Sequence, residues 1–308
     1  MESGRAGLTH LALAITVTTW ASAFVGIRVG LQAFSPYHVA LLRYLVASVT
    51  LAVYAAVARL APPDRRDLPV IALSGLVGIA LYNVLLGYGE VALPAATASF
   101  IIASAPVWMA LCGVVALKER IRPAGWVGLA VSFAGVAAIA LGKGQGLSIN
   151  GRALVVLAAA VAQSLYSLIQ KPLLRRYRPL QIATYAIWSG TLALLPFAGG
   201  LVRAVAAAPV GSTLAVVYLG IVPGALGYVM WAQALASVPA STAGSYLYLV
   251  PPLALGLGWA WLGEVPSLVS LLGGALVVAG VMVVNRRSGA AAQSVERTTP
   301  QAGGTLPQ

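Results

Sequence analysis

The sequence has very few charged residues. Only 8% of its 308 residues are charged, whereas 60% are hydrophobic, and the mean hydropathy is +0.90. A soluble domain carries about 25% charged residues and needs them for its surface. The composition therefore excludes an ordinary soluble protein and predicts a membrane protein.

Residue types that bind metals or carry redox chemistry are also scarce. Cys112 is the one cysteine, and His10 and His38 are the two histidines. An intramolecular disulfide and a metal site with a pair of cysteine ligands are therefore excluded. The sequence contains no GxxxxGK[ST] phosphate loop, which argues against ATP-driven transport by this chain alone. We expect neither a cofactor nor a metal.

Acidic residues are missing from the middle of the long apolar runs. The usual relay of buried carboxylates and histidines that carries protons through a transporter is therefore not predicted. Coupling to a proton gradient has no support in the sequence.

Long apolar runs fill most of the chain. A hydrocarbon core about 30 Å thick takes roughly 20 apolar residues in a helix. Ten such runs are predicted, with both ends of each uncertain by a few residues. They span residues 8–31, 37–59, 68–90, 94–117, 122–142, 151–173, 180–201, 210–235, 240–262 and 266–285. Residues 288–308 are rich in Gln, Thr, Gly, Pro and Ser, and we expect them to form a disordered tail.

The basic residues predict the orientation of the chain. The net charge of +12 lies in short segments between apolar runs and not on one soluble face, so we expect no nucleic-acid partner. Cytoplasmic loops of helical membrane proteins have an excess of Lys and Arg. With both termini in the cytoplasm, most of the basic residues fall on that side. These are Arg5, Arg59, Arg65, Arg66, Lys118, Arg120, Arg122, Lys171, Arg175, Arg176, Arg178, Arg286, Arg287 and Arg297.

Two segments of the chain resemble each other at a constant spacing. LPAATASFIIASAPVWMALCGVVALKE begins at Leu93, and VPASTAGSYLYLVPPLALGLGWAWLGE begins at Val238, so a shift of 145 residues superposes them. The earlier helices align at a shift of 143, which brings Pro36 onto Pro179. The chain is therefore predicted to contain a duplicated five-helix unit.

The two copies, residues 8–142 and 151–286, must enter the membrane in opposite directions because five is an odd number. The fold class is thus an all-α polytopic membrane protein with ten transmembrane helices in two inverted-topology repeats. Such repeats are typical of secondary transporters, whose halves give alternating access to a site near the midplane.

Each unit has a Pro-containing helix, a Lys-Glu or Gly-Glu turn, and a final helix with spaced glycines, WVGLAVSFAGVAAIALG or LLGGALVVAGVMVV. With these features the chain resembles the EamA-type transporters of the drug/metabolite transporter superfamily over residues 8–286. The resemblance implies a 5+5 helix fold in the inner membrane. It also implies export or exchange of small metabolites, prominently amino acids, and the branch that exports aromatic amino acids is the most similar.

Aromatic and weakly polar residues near the middle of the runs are the candidates for a substrate cavity. For each one alone, burial between helices with its polar atom satisfied is the stronger interpretation. As a group they favour a cavity. They are Trp20, Phe24, Tyr82, Asn83, Gln163, Tyr166, Tyr228, Ser245 and Tyr246.

Pro106, Pro251 and Pro252 are predicted to lie in the middle of helices. A proline there removes one backbone hydrogen bond and displaces the carbonyl four residues earlier. A packing kink and a gating bend are equally supported, since both repeats have such a proline at the matching position.

Four of the charged residues inside or at the ends of the runs are candidates for ion pairs. For Arg28 and Arg43, snorkelling or an ion pair with Glu90 is favoured over binding of a substrate carboxylate. Lys171, the repeat equivalent of Arg28, has the same interpretation at the inner face. Glu264, like its equivalent Glu119, is expected to complement the N-terminus of the helix that follows it.

The sequence thus predicts an alternating-access carrier that exports or exchanges small metabolites, most readily amino acids including aromatic ones. Its partners are a small-molecule substrate and the lipid bilayer, and one chain suffices for a cavity, although a dimer is possible. A carrier of another metabolite or drug-like solute is one alternative. A membrane-embedded lipid-modifying enzyme is the other, but no nucleophile with its base is found at one depth.

Overall fold

The structure is a computed structural model that describes residues 2–117, 123–141, 151–238, 243–244, 246–280 and 282–283. Within these ranges the chain is helical and contains no strand. The predictions for Ser245, for Glu119 and for the tail at 288–308 lie outside the described residues.

Helices α1 to α6 belong to the first repeat and α7 to α12 to the second. The first six are α1 Glu2–Gly30, α2 Pro36–Val57, α3 Leu68–Glu90, α4 Ala95–Ile102, α5 Ala105–Leu117 and α6 Pro123–Leu141. The next six are α7 Gly151–Leu173, α8 Pro179–Leu194, α9 Leu201–Ala207, α10 Val210–Ser237, α11 Val250–Leu262 and α12 Leu268–Gly280.

Six of the described helices are long and apolar enough to cross a membrane, namely α1, α2, α3, α7, α8 with its short continuation, and α10. The other predicted runs hold the shorter apolar helices Ala95–Met109, Trp126–Ile139, Leu247–Leu262 and Leu268–Gly280. A count of ten spans therefore stays a prediction.

Matching prolines begin the second helix of each repeat. Pro36 and Pro179 occupy the first turns of α2 and α8. A proline suits this position because its φ is already helical and its missing N–H would have no partner there. At α2 the Ser35 hydroxyl also accepts a hydrogen bond from the His38 N–H, at 3.4 Å.

The fourth helix of each repeat is broken where a kink was expected. In the first repeat α4 ends at Ile102 and α5 begins at Ala105, so Pro106 lies in the first turn of a new helix. In the second repeat the turn Leu247–Leu249 precedes α11, whose first turn holds Pro251 and Pro252. The regular α-helix is thus interrupted next to all three prolines, and whether each interruption serves packing or gating stays a prediction.

Equivalent residues of the two repeats meet between α2 and α8. The Ser48 and Thr191 hydroxyls are hydrogen-bonded at 2.8 Å, and these residues are 143 positions apart. That separation equals the shift that superposes the two repeats in this region. A contact between equivalent residues is expected where a pseudo-two-fold axis passes between the helices that carry them, here α2 and α8.

The last helices of the two repeats cross at glycines, with the same symmetry. A Cβ added to Gly135 would lie 2.5 Å from the Gly273 carbonyl oxygen, and one added to Gly280 would lie 2.5 Å from the Gly128 carbonyl oxygen. A shift of 145 residues converts one contact into the other. Helices α6 and α12 therefore pack backbone to backbone around the pseudo-two-fold axis.

The first helix of each repeat packs into the other repeat. Helix α1 contacts α10 and α11 of the second repeat, and α7 contacts α3, α4 and α5 of the first. Both α3 and α10 contain a π-helical segment, Leu76–Leu81 and Gly220–Gly227, where they meet α7 and α1 respectively. The space enclosed by these helices is therefore lined by both repeats.

Candidate functional site

A cavity lies between the repeats, beside the break in the fourth helix. Arg43 and Pro106 line it together with five of the residues predicted to bind substrate. These five are Trp20, Phe24, Tyr82, Gln163 and Tyr228.

An aromatic cluster forms one side of the cavity. The Trp20 ring lies 5.4 Å from the Tyr228 ring and 5.3 Å from the Trp231 ring, measured between centroids. Behind Tyr228 lies the Tyr166 ring, at 5.8 Å. Tyr166 therefore supports the wall of the cavity without lining it.

Three polar atoms on or beside the cavity wall are buried and have no hydrogen-bond partner among the described residues. They are the donors Trp20 Nε1 and Arg43 Nε and the acceptor Gln163 Oε1. Buried polar atoms are almost always paired in proteins, so unpaired ones beside a cavity are available to a ligand or to water. The set offers donors to an anionic group and an acceptor to a cationic one.

Arg43 does not extend to a helix end, so the prediction that it snorkels is wrong. The residue is only 3% exposed. Its Nη1 donates to Asn83 Oδ1 at 2.9 Å, and its guanidinium carbon lies 5.2 Å from the centre of the Tyr44 ring. No acidic side chain of the described residues is within salt-bridge distance of it. The cavity thus has a cationic group without an ionic partner.

Asn83 lies behind Arg43 and not in the cavity wall. Its Nδ2 donates to the Tyr44 hydroxyl at 2.8 Å and to the Ile79 carbonyl at 2.9 Å. Both bonds fix the amide so that its oxygen faces the guanidinium. Asn83 is therefore a positioning residue for Arg43.

Arg28 connects the two repeats at one end of the bundle. Its Nε lies 2.7 Å from Glu264 Oε1, and its Nη1 donates to the Glu90 carbonyl oxygen at 2.6 Å. Glu264 Oε2 accepts the backbone N–H of Ala95 at 2.9 Å. We name this group, Arg28, Glu90, Ala95 and Glu264, the Arg28 junction.

The contacts in the Arg28 junction differ from two of the sequence-based predictions, one for Arg28 and one for Glu264. Arg28 forms its ion pair with Glu264 and not with Glu90, whose carboxylate oxygens are buried without a hydrogen-bond partner among the described residues. Glu264 complements the N-terminus of α4 in the other repeat, and not that of the helix that follows it. A negative charge at a helix N-terminus is stabilising in either case.

A second inter-repeat contact lies at the opposite end, where α2 and α7 finish. Arg176 forms ion pairs with Asp67 at 2.9 Å and with Asp64 at 3.3 Å. The Tyr177 hydroxyl donates to Asp67, and this hydrogen bond raises the pKa of Tyr177 above its ordinary value. We name these four residues the Arg176 junction. Because Arg176 and Asp64 are exposed, each ion pair contributes little stability by itself.

The remaining predicted residues lie away from the cavity wall. The Tyr246 hydroxyl is hydrogen-bonded to His10 Nδ1 at 2.6 Å. Lys171 lies half-buried in the last turn of α7. Pro251 and Pro252 adjoin Val250, which does line the cavity.

Both repeats match a known family. Residues 7–141 and residues 151–286 each match the EamA-like transporter family. The chain belongs to this family. It is therefore a multi-pass membrane transporter and not an enzyme, which also removes the lipid-modifying alternative.

Curated relatives of this EamA-like transporter carry transporter names. It is 48% identical to the probable terminal-alkyne amino-acid exporter of Streptantibioticus cattleyicolor, over 90% of this chain and 93% of that protein. It is 38% identical to the uncharacterized transporter YdfC of Bacillus subtilis, over 87% of each. Against the probable amino-acid metabolite efflux pump of Salmonella typhimurium the identity is 25%, over 87% of this chain and 92% of that protein.

The fold of this EamA-like transporter also occurs in a solved crystal structure. The two superpose with a TM-score of 0.62 over 94% of this chain and 98% of the other, at 19% sequence identity. At that identity the likeness establishes the fold alone.

Proposed function

We propose that this transporter exports amino acids, including those with apolar or aromatic side chains. The observation that carries the proposal is the position of Arg43, a buried cation in an aromatic cavity between the repeats that forms no salt bridge with any acidic side chain of the described residues. A buried charge without a partner is costly, and a ligand carboxylate removes that cost.

The cavity offers a partner to each part of an amino acid. Arg43, with its free Nε, would bind the carboxylate, and Trp20 Nε1 offers a further donor. The Gln163 amide oxygen would accept the ammonium group. Phe24 and Tyr82 would surround an apolar side chain. Two relatives support this substrate class, one in Streptantibioticus named for export of a terminal-alkyne amino acid and one in Salmonella named for efflux of amino-acid metabolites.

Transport would proceed by alternating access. The Arg28 and Arg176 junctions each join one repeat to the other, and they lie at opposite ends of the cavity-forming helices. Opening one junction while the other stays closed would expose the cavity to one side at a time. The proposed arrangement has ten spans in the inner (plasma) membrane, both termini in the cytoplasm, and the Arg176 junction on the cytoplasmic side. One chain encloses the cavity, so a monomer would suffice.

The test compares solutes with and without a carboxylate. Proteoliposomes containing the wild type or Arg43→Gln would be assayed for counterflow of phenylalanine and of phenethylamine, which lacks the carboxylate. A hydrogen bond to a charged group contributes about 1.5–3 kcal/mol, so we expect Arg43→Gln to lower phenylalanine affinity about 10- to 100-fold. The wild type should prefer phenylalanine over phenethylamine, and the variant should lose that preference.

Arg203→Gln is the matched control, because Arg203 is exposed on α9 away from the cavity. It should transport like the wild type. An Arg43→Gln protein that is folded and still discriminates between the two solutes would refute the assignment of Arg43. Failure of the wild type to move any amino acid would refute the substrate class.

A further inference from the structure

Glu90 is the most deeply buried acidic residue of the described chain, and the transport site does not use its carboxylate. The residue ends α3 and is 0% exposed. Neither Oε1 nor Oε2 has a hydrogen-bond partner among the described residues. An ionised carboxylate is strongly disfavoured when it is buried without a donor, whereas a neutral carboxylic acid is tolerated far better.

A guanidinium group is nevertheless held next to Glu90. Arg28 Nη1 donates to the backbone carbonyl oxygen of Glu90, while Arg28 Nε is bound to Glu264. Arg28 is therefore anchored to the backbone of one glutamate and ion-paired with the side chain of another. A rotation of the Glu90 side chain could bring its carboxylate to the same guanidinium.

Charged or titratable side chains surround Glu90 on several neighbouring helices. Helix α1 contributes Arg28, α2 contributes Arg43, and the segment after α11 contributes Glu264, and all three act electrostatically on the Glu90 carboxylate. Helix α7 contributes Arg152, whose Nη1 donates to the Tyr88 carbonyl at 2.8 Å. His38 on α2 contacts the Gly199 carbonyl. Helix α4 has no titratable side chain.

We propose that Glu90 is a proton-binding site that decides which carboxylate holds Arg28. With a proton on Glu90, Arg28 stays on Glu264, and Glu264 keeps its bond to the Ala95 N–H. When the proton passes to water, the ionised Glu90 carboxylate takes the guanidinium from Glu264. The Arg28 junction then loses the ion pair between the repeats and keeps only the hydrogen bond from the Ala95 N–H to Glu264, which is too weak to hold it closed. No covalent bond other than the O–H bond of Glu90 changes.

The functional consequence is that proton release opens one end of the cavity. This consequence rests on the proposed transport cycle. Proton binding itself can be measured without any transport. A single proton released on opening makes the ratio of open to closed molecules rise by up to about tenfold per pH unit.

The test is a distance measurement across the Arg28 junction as a function of pH. Spin labels at Val91→Cys and Val265→Cys, both at exposed positions, would be placed in a Cys112→Ala background. In lipid nanodiscs the wild-type junction should change from a short to a long distance as the pH rises. Glu90→Gln should keep the short distance at every pH, because it has no carboxylate to compete for Arg28.

Two further variants complete the test. Glu296→Gln, in the C-terminal segment, is the matched acid-to-amide control and should keep the pH response. Arg28→Gln removes the contested guanidinium and should give a long distance that does not depend on pH. This variant tests the proposal even if Glu90→Gln does not fold.

A wild-type distance that does not change with pH would overturn the proposal, and so would a normal pH response in Glu90→Gln or in Arg28→Gln. These outcomes leave the carboxylate assay on Arg43 unaffected. A failed proton switch is therefore distinguishable from a failed transport assignment.

Discussion

Replacing Gly135 or Gly280 by alanine tests the symmetric packing of the two repeats. In each case the new methyl carbon would lie 2.5 Å from a backbone carbonyl oxygen of the facing helix. It would also lie 2.7 Å from the Val277 nitrogen in the first case and 2.5 Å from the Ser132 nitrogen in the second. Backbone atoms cannot rotate away, so α6 and α12 would have to separate.

The magnitude follows from two opposing effects. Overpacking of this kind costs typically 1–3 kcal/mol. Alanine in place of glycine inside a helix stabilises that helix by up to about 1 kcal/mol. We therefore expect Gly135→Ala and Gly280→Ala each to destabilise the protein by about 1–2 kcal/mol, which corresponds to melting temperatures roughly 2–8 °C lower.

The assay is thermal unfolding in detergent, followed by tryptophan fluorescence. Gly256→Ala is the matched control, because Gly256 lies inside α11 and a Cβ there would meet no atom within 4 Å. This control should melt at or above the wild-type temperature. The reasoning is refuted if Gly135→Ala melts at the same temperature as Gly256→Ala. It is also refuted if the loss of stability differs several-fold between the Gly135 and Gly280 variants.

Two other predictions concern the cavity and the Arg176 junction. Trp20→Ala and Gln163→Ala should lower amino-acid flux about tenfold or more, while size-exclusion profiles show folded protein. Each removes a polar atom beside the cavity that has no hydrogen-bond partner in the described part of the chain. Asp67→Asn should lower the pKa of Tyr177 towards its ordinary value, measured as the phenolate absorbance that Tyr177→Phe removes. The stabilisation from the Tyr177 hydrogen bond should be complete below the ordinary tyrosine pKa and should disappear as the pH rises through the raised value.

The membrane class and the family could be predicted because they depend on features that repeat along the chain. Apolar runs and the superposition of Pro36 on Pro179 needed no knowledge of which side chains touch. Of the cavity residues, Trp20 and Gln163 could be predicted for the same reason, since they occupy equivalent positions in the two repeats. Both lie beside the cavity that the repeats enclose.

The ion pairs could not be predicted, because they depend on contacts between distant segments. Arg28 and Glu264 are 236 residues apart, and nothing in the local sequence distinguishes Glu264 from Glu90 as the partner of Arg28. Arg43 lies two turns inside α2, and its position alone does not tell whether the side chain extends to the helix end or turns inward. The bond to Asn83 makes it turn inward.

The form of the interruption in the fourth helix could not be predicted, for a different reason. Ala103 and Ser104 separate α4 from α5, yet neither residue type is a helix breaker in an apolar run. The start of α5 is in contact with the second repeat, because the Ser164 hydroxyl lies within hydrogen-bond distance of the Ala105 carbonyl, at 2.7 Å. Only the packed structure reveals that partner.

The central claim is that two repeats insert in opposite directions and share one cavity, and membrane labelling tests it most directly. Arg120→Cys and Val265→Cys occupy equivalent positions of the two repeats and would be introduced singly into a Cys112→Ala background. A maleimide that cannot cross the membrane should label the cysteine at 265 in intact cells, and the cysteine at 120 only after the cells are permeabilised. Labelling of both from the same side would contradict the account.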